Sequence, residues 1–171
     1  MDMKLRISIN TLCLEPADFA TQVDLVERLG VGGMGLGIED IAPIGAQAAR
    51  RMLRDAGLSV SLLTHRAFGF ADAAETKTAQ ERLARSIDYA QAIGAAVIVM
   101  TTGGRGSLNW GDAAKNFAEA IAPSAAIARK AGVQLGIEPT SHLYADASIA
   151  HRLSDCVTLA RLADIDPSRG G

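Results

Sequence analysis

Glu138 is the residue of this sequence best placed to do chemistry. Its carboxylate follows a short apolar run and directly precedes Pro139, which is the pattern expected at the end of a strand. A carboxylate held on such a rigid element can ligate a divalent metal ion or act as a general base. A glutamate at this point can also cap the next helix or pair with a neighbouring cation. Glu138 is therefore our candidate catalytic and metal-binding residue, with these two structural roles as alternatives.

Glu39 ends a second copy of the same tetrapeptide. Leu36-Gly37-Ile38-Glu39 and Leu135-Gly136-Ile137-Glu138 have the same four residue types. In an extended chain alternate residues share a face, so each glutamate lies on the side of its glycine, and leucine and isoleucine lie on the other. We predict that Glu39 helps to shape a substrate pocket.

Four more residues at or after predicted strand ends are candidates for binding a substrate. His65 can contact the substrate or a metal ion, or be satisfied by a backbone carbonyl. The planar guanidinium of Arg66 can bind an anionic group or simply face solvent. Trp110 follows a glycine-rich loop and can cover a substrate or pack against a helix. Asn10 is a further polar residue of the same predicted rim.

Two glycine-rich stretches lack the features of phosphate-binding loops. The segment 101–107 has one arginine but no lysine-serine pair of the Walker type, so we predict an ordinary loop after a strand. The segment 33–37 falls inside a predicted strand, and the first strand is not followed by the Gly-x-Gly-x-x-Gly sequence of dinucleotide-binding folds. Its glycines are predicted to permit close packing.

The elements that must position these residues form a repeating unit. Four predicted helices end in a glycine that leads directly into an apolar run, as expected for a left-handed C′ residue: Gly30, Gly57, Gly94 and Gly132. Apolar content predicts five strands, at 5–12, 31–39, 58–65, 95–101 and 133–138. Helical spacing predicts five helices, at 17–29, 44–56, 76–93, 113–131 and 147–163.

Strict alternation of strands and helices predicts an α/β fold with parallel strands. A closed barrel and an open doubly wound sheet both satisfy that order. The repeated Leu-Gly-Ile-Glu strand ends favour the barrel, because they would project two glutamates at its C-terminal mouth, where barrel active sites lie. The prediction is a partial (β/α)8 TIM barrel of about five units, forming one domain over 1–171 that ends before strand six.

Composition excludes several classes of function. The chain has 171 residues, 17 Lys plus Arg against 19 Asp plus Glu, and no basic run, so we expect no nucleic-acid partner. Its apolar runs are far shorter than the ~20 residues of a membrane helix, and no signal peptide is recognisable, so no membrane association is expected. The two cysteines, Cys13 and Cys156, have no CxxC spacing, and a reducing cytoplasmic location is predicted.

The segment Leu135-Gly136-Ile137-Glu138-Pro139, followed by Tyr144-Ala145-Asp146, resembles the fifth strand of the xylose isomerase-like TIM barrel family. That family groups sugar and sugar-phosphate isomerases and epimerases with AP endonuclease family 2. The resemblance implies that Glu138 is a ligand of a catalytic divalent metal, Mn²⁺, Mg²⁺ or Zn²⁺, and in many members also an acid/base group. Many of these isomerases have Glu-Pro-Leu-His-Pro here, whereas this chain places His142 one position later.

The family's other metal ligands lie on later strands, as Asp on the sixth, His on the seventh and Glu on the eighth. We expect that 1–171 does not contain those strands, so Glu138 would be a single member of the set. The resemblance implies a sugar isomerase or epimerase acting on a small sugar-like substrate. The alternative is an inactive partial barrel that self-associates through open sheet edges. A nuclease is disfavoured, because the chain has only three histidines and a negative net charge.

Overall fold

The computed structural model describes residues 5–14 and 17–165 of the chain. Their strands form one sheet in the order β1-β2-β3-β4-β5, and every neighbouring pair is parallel. The strands are β1 (Leu5–Asn10), β2 (Val31–Gly37), β3 (Ser59–His65), β4 (Val97–Met100) and β5 (Gln134–Ile137). This arrangement confirms the predicted partial barrel of five parallel strand-helix units. The prediction that the chain ends before a sixth strand concerns residues 166–171, which lie outside the described residues.

The helices lie between and after these strands. They are α1 (Phe19–Arg28), α2 (Ile38–Ile41), α3 (Ala46–Asp55), α4 (Ala73–Ile93), α5 (Trp110–Lys130) and α6 (Leu153–Leu162). The four glycines predicted to end helices all have positive φ, between 64° and 84°. Within the described part of the chain, no helix has the length and apolarity needed to cross a membrane.

The two Leu-Gly-Ile-Glu copies differ in structure. The predicted strand 31–39 ends at Gly37, and Glu39 lies in the short helix α2, so the prediction of two equivalent strand-end glutamates was wrong. Glu138 instead continues the ladder of β5, its backbone N–H donating to Met100 O at 2.9 Å. The reason is local: a residue before proline avoids the helical region, and Glu138 precedes Pro139, whereas Asp40 leaves Glu39 free to turn.

The last helix begins later than predicted. α6 starts at Leu153, because the Asp155 carboxylate accepts from the backbone N–H groups of His151 and Arg152 at 3.0 and 2.9 Å and caps the helix there. The expectation of a helix over 147–163 was therefore wrong in its first six residues. As a result, His151, which falls within the predicted helix 147–163, lies in the loop before α6.

The sheet buries one face under the helices and leaves the other partly exposed. Alternate strand residues facing the helices are inaccessible to solvent, namely Met34, Leu36, Leu63, Ile98 and Met100. Their neighbours point to the opposite side, which we call the inner face: Leu62, Thr64, Val97 and Val99, all half-buried, together with Asn10 and Gly136. Glu138, the residue directly after β5, lies two positions beyond Gly136 and so on the same side of the extended chain.

Glycine in β2 lets side chains of β1 and β3 meet above it. Asn10 Nδ2 donates to Thr64 Oγ1 at 3.1 Å, across the strand between them. A Cβ at Gly35 would stand 2.9 Å from that amide nitrogen, closer than side chains pack. The glycine-rich strand therefore serves close packing, as its place within a strand predicted.

An aromatic cluster packs α5 against the loop that follows β3. The Phe117 ring meets the Phe68 ring edge-on, with centroids 6.0 Å apart and planes at 88°, and it meets the Phe70 ring at 5.9 Å and 67°. All three side chains are buried. This cluster holds the β3–α4 loop against α5 at the carboxyl end of the sheet.

Candidate active site at the carboxyl ends of the strands

The carboxyl ends of all five strands lie along one edge of the sheet, which we call the rim. It carries the predicted site residues Asn10, Glu39, His65, Arg66 and Glu138, since each lies at or just after a strand end. Parallel strands bring these residues to the same edge although 128 positions separate the first from the last in sequence. The rim is where a (β/α) fold builds its active site.

The Glu138 carboxylate is exposed and unpaired. Among the residues that the structure describes, none donates a hydrogen bond to it or forms an ion pair with it. The first turn of α6 is capped by Asp155, so the alternative role of Glu138 as the cap of that helix does not apply. Burial raises the pKa of the Cys156 thiol, and the Asp155 and Glu138 carboxylates add to that rise. The Glu138 carboxylate at the end of β5 therefore has no partner among the described residues and is accessible to solvent.

Glu39 and Arg66 neutralise each other. Arg66 Nε donates to Glu39 Oε1 at 2.5 Å, and both side chains remain largely exposed. The pair bridges β2 and β3 at the rim, where a surface ion pair adds only about 0–1 kcal/mol of stability. Substrate contact by either residue stays a prediction. An anionic ligand that binds Arg66 must compete with the Glu39 carboxylate for the guanidinium.

His65 turns away from the inner face and packs under α4. Only 3% of the residue is exposed, and its Nδ1 lies 2.8 Å from Ser86 Oγ, while Nε2 has no partner among the described residues. Burial, aided by the positive charge of Arg82 and opposed by Glu39, lowers the pKa of His65 to about 4. The ring is therefore neutral near pH 7. The hydrogen-bond partner of His65 is thus the Ser86 hydroxyl and not a backbone carbonyl. Contact between His65 and a substrate stays a prediction.

This buried ring makes stability depend on pH. Because the folded-state pKa of His65 is about 4 against 6.5 in the unfolded chain, the unfolded state takes up the proton first as pH falls. The free energy of unfolding that His65 contributes above pH 6.5 should therefore be lost gradually as the pH falls to about 4. At 1.36 kcal/mol per pKa unit, the loss is about 3 kcal/mol. Urea unfolding at pH 7, 5.5 and 4.5 measures the slope. The His65→Gln variant should lose that slope, and an unchanged slope would contradict the assignment.

The two remaining predicted residues are held by internal bonds. Asn10 accepts the Leu12 N–H on its Oδ1 at 3.0 Å while donating to Thr64, so its amide is oriented from both ends. Trp110 is the first residue of α5, and its Nε1 donates to Ile149 O at 2.9 Å. The indole thus links α5 to the segment before α6. A substrate role for either residue stays a prediction.

Sequence reasoning missed Thr102, a buried residue that joins two rim loops. Its Oγ1 accepts the Ile149 N–H at 2.8 Å and lies 3.2 Å from Ser148 Oγ. Next to it, Gly103 N–H donates to Ala147 O at 3.0 Å. These bonds fix the β4–α5 loop to the segment that returns from Glu138. No local pattern marks Thr102, because its partners lie about 46 residues further along the chain.

The Glu138 carboxylate is a type of ligand that divalent cations bind, but one carboxylate is not a complete metal site. Hard cations take carboxylate oxygens, and an unpaired, exposed carboxylate on a strand end is available for that purpose. The described residues contain no group of three or more His, Cys, Asp or Glu side chains arranged to hold a metal ion. Within the described residues, Glu138 can therefore supply one ligand of a larger set.

Comparison with known proteins places this geometry in a family. The sequence model of the xylose isomerase-like TIM barrel matches residues 23–165. The chain belongs to the xylose isomerase-like TIM barrel family. This confirms the resemblance inferred from the fifth strand and its Glu138. No curated protein sequence is significantly similar to the chain.

Solved structures of the xylose isomerase-like fold superpose on almost all of the chain. A Sinorhizobium meliloti protein, SMc04130, is 31% identical with a TM-score of 0.83, covering 95% of this chain and 60% of that one. The 3-keto-D-glucoside 4-epimerase YcjR of E. coli is 12% identical, with a TM-score of 0.78 and coverage of 95% and 66%. D-Psicose 3-epimerase of Clostridium cellulolyticum is 14% identical, with a TM-score of 0.77 and coverage of 95% and 60%. The chain thus spans about 60% of the length of the Sinorhizobium protein.

Proposed function

We propose that this chain forms part of a divalent-metal-dependent sugar isomerase or epimerase in which Glu138 is a metal ligand and an acid/base group. The observation that carries the proposal is the unpaired Glu138 carboxylate at the end of β5, in contrast to the neutralised Glu39. Membership of the xylose isomerase-like family supports it, as do the two epimerases among the structural neighbours. The proposal includes a small sugar-like substrate at the rim.

The reaction class follows from what the rim offers. By proton transfer, isomerisation or epimerisation next to a carbonyl removes a proton from carbon and returns one at the other face or at the adjacent carbon. An exposed carboxylate can take that proton, while a bound divalent metal polarises the substrate oxygen. Polar inner-face groups such as the oriented Asn10 amide and Thr64 hydroxyl can hold sugar hydroxyls. The further ligands and the second acid/base group would come from outside the described residues.

Exchange of hydrogen between substrate and solvent tests this reaction class directly. The protein expressed from its full gene would be incubated with D-fructose, D-psicose and D-tagatose in D₂O, with Mn²⁺, Mg²⁺ or Zn²⁺ added. We expect deuterium at the carbon next to the carbonyl of at least one sugar, detected by NMR, and its loss with EDTA. No exchange into any of these ketoses with any of the three metals would contradict the acid/base role proposed for Glu138.

Self-association is the second candidate, and an exposed apolar groove favours it. β5 is the last strand of the described sheet, and beside it runs a groove of about 240 Å³ lined mainly by Leu135, Ile137, Cys156, Val157 and Ala160. Val157 is 46% exposed there. An open strand edge next to apolar side chains invites pairing with another strand, and the proposed occupant is the β5 edge of a second copy.

Light scattering coupled to size exclusion tests the pairing. A self-associating chain should elute with a mass above the 17.8 kDa of one copy, and Val157→Lys should return it to that mass by placing a charge in the groove. Ile127→Lys is the matched control, since Ile127 is similarly exposed, at 47%, on α5 and does not line the groove. A strictly monomeric unsubstituted chain would exclude this candidate.

A further inference from the structure

We propose that His142 and His151 form a second metal site, for a divalent transition ion that prefers nitrogen ligands, separate from the carboxylate site at Glu138. The two ring centroids are 4.3 Å apart, with planes tilted by 40°. Neither ring was predicted to meet the other, because nine residues separate them and His151 was expected on a helix.

The backbone brings the pair together by closing a loop between β5 and α6. Thr140 N–H donates to Ala150 O at 2.9 Å, joining the two ends of the loop. His142 begins a 3₁₀ turn, His142–Tyr144, whose first residue is preceded by the Ser141 cap. At the other end, the His151 N–H donates to Asp155. The pair is therefore held by fixed backbone at both positions.

A hydrogen bond orients His151 as metal-binding histidines are commonly oriented. Its Nδ1 lies 3.1 Å from Thr140 O, and because a carbonyl can only accept, this nitrogen must carry the proton. In the neutral ring, Nε2 then keeps its lone pair. A backbone carbonyl on the far nitrogen is a standard outer partner of a metal-bound imidazole. Nε2 of His151 has no hydrogen-bond partner among the described residues and is not buried.

The spacing of the rings suits one kind of ion. If one nitrogen of each ring points at a shared ion about 2.0–2.1 Å away, centroids 4.3 Å apart imply an N–metal–N angle of about 85°. That angle is close to the right angle of adjacent positions in square-planar or octahedral sites, and well below the tetrahedral angle. Nitrogen ligands in such geometry are typical of Ni²⁺ and Cu²⁺. No third ligating side chain joins them in the described part of the chain, which leaves the other positions to water.

Calorimetric titration with Ni²⁺ tests the site on a chain that carries no histidine tag. We expect one ion bound per chain, with His142→Gln and His151→Gln each weakening the affinity at least about tenfold. Glu138→Gln and Cys156→Ser are the controls and should bind Ni²⁺ as the unsubstituted chain does. Because the Glu138 variant removes the proposed catalytic carboxylate and spares the histidines, failure of one proposal is distinguishable from failure of the other.

A second measurement needs no substitution. Ni²⁺ should slow the modification of His142 and His151 by diethyl pyrocarbonate, followed by mass spectrometry of the peptides, while the buried His65 stays unreactive with or without the ion. The proposal is overturned if Ni²⁺ protects neither histidine, or if its affinity is unchanged in His142→Gln. It is also overturned if Glu138→Gln abolishes the binding, since the ion would then belong to the carboxylate site.

Discussion

Replacing Glu138 by Gln is expected to lower the rate of solvent exchange into the ketose substrate by at least about a hundredfold, because removing a general base or a metal ligand removes that much rate. The substitution keeps the shape and removes only the negative charge. The carboxylate has no partner among the described residues, so stability should change little. Urea unfolding of the same variant checks that expectation.

The control for this effect is Glu119→Gln, on the exposed surface of α5. It removes the same charge away from the rim, and it should leave the exchange rate unchanged. If the two variants exchange hydrogen equally fast, Glu138 has no part in the reaction. Comparing metal dependence in the two variants then separates the roles of Glu138, since a lost ligand raises the concentration of Mn²⁺ needed, whereas a lost base lowers the rate at saturating metal.

Replacing Phe117 by Ala is expected to destabilise the chain by about 3–5 kcal/mol, the usual cost of deleting a fully buried aromatic ring. Phe117 is inaccessible to solvent and contacts both Phe68 and Phe70 edge-on. Urea unfolding followed by circular dichroism measures the loss. Ile127→Ala, on the same helix but 47% exposed, should change the free energy of unfolding by less than about 0.5 kcal/mol.

The Phe117 cavity should also loosen the rim. Phe68 N–H donates to Thr101 O at 3.0 Å, which ties the β3–α4 loop to the end of β4. A Cβ at Gly103 would lie 2.8 Å from Gly69 N, so the two loops are in tight contact. Hydrogen exchange at the amides of 67–71 should therefore accelerate in Phe117→Ala. A loss of stability below about 1 kcal/mol would show that the site refills on truncation.

The order of strands and helices was predictable because it is encoded locally. Apolar periodicity places each element, and a glycine able to take positive φ ends four of the helices. The structure confirms all five predicted strands and all five predicted helices, and it adds the short helix α2. The errors lie at their ends, where capping decides: Asp155 starts α6 six residues later than apolar content suggests, and the turn at Glu39 was not anticipated.

The two identical tetrapeptides mark the limit of pattern reasoning. Both leucines are buried against the helices, Leu36 at 0% and Leu135 at 4% exposure, as alternation predicts. The glutamates diverge because the next residue differs, Asp40 in one copy and Pro139 in the other. One glutamate turns into α2 and meets Arg66, and the other stays extended and unpaired.

The sequence by itself determined the succession of strand-helix units, the parallel sheet that follows from it, and the position of Glu138 at a strand end. The tertiary structure alone decided which rim groups are satisfied. Glu39 meets Arg66 across 27 residues, His65 meets Ser86 across 21, and His142 meets His151 through a closed loop. Such contacts depend on distances between residues far apart in the chain, which local periodicity does not encode, and they leave the Glu138 carboxylate available for chemistry.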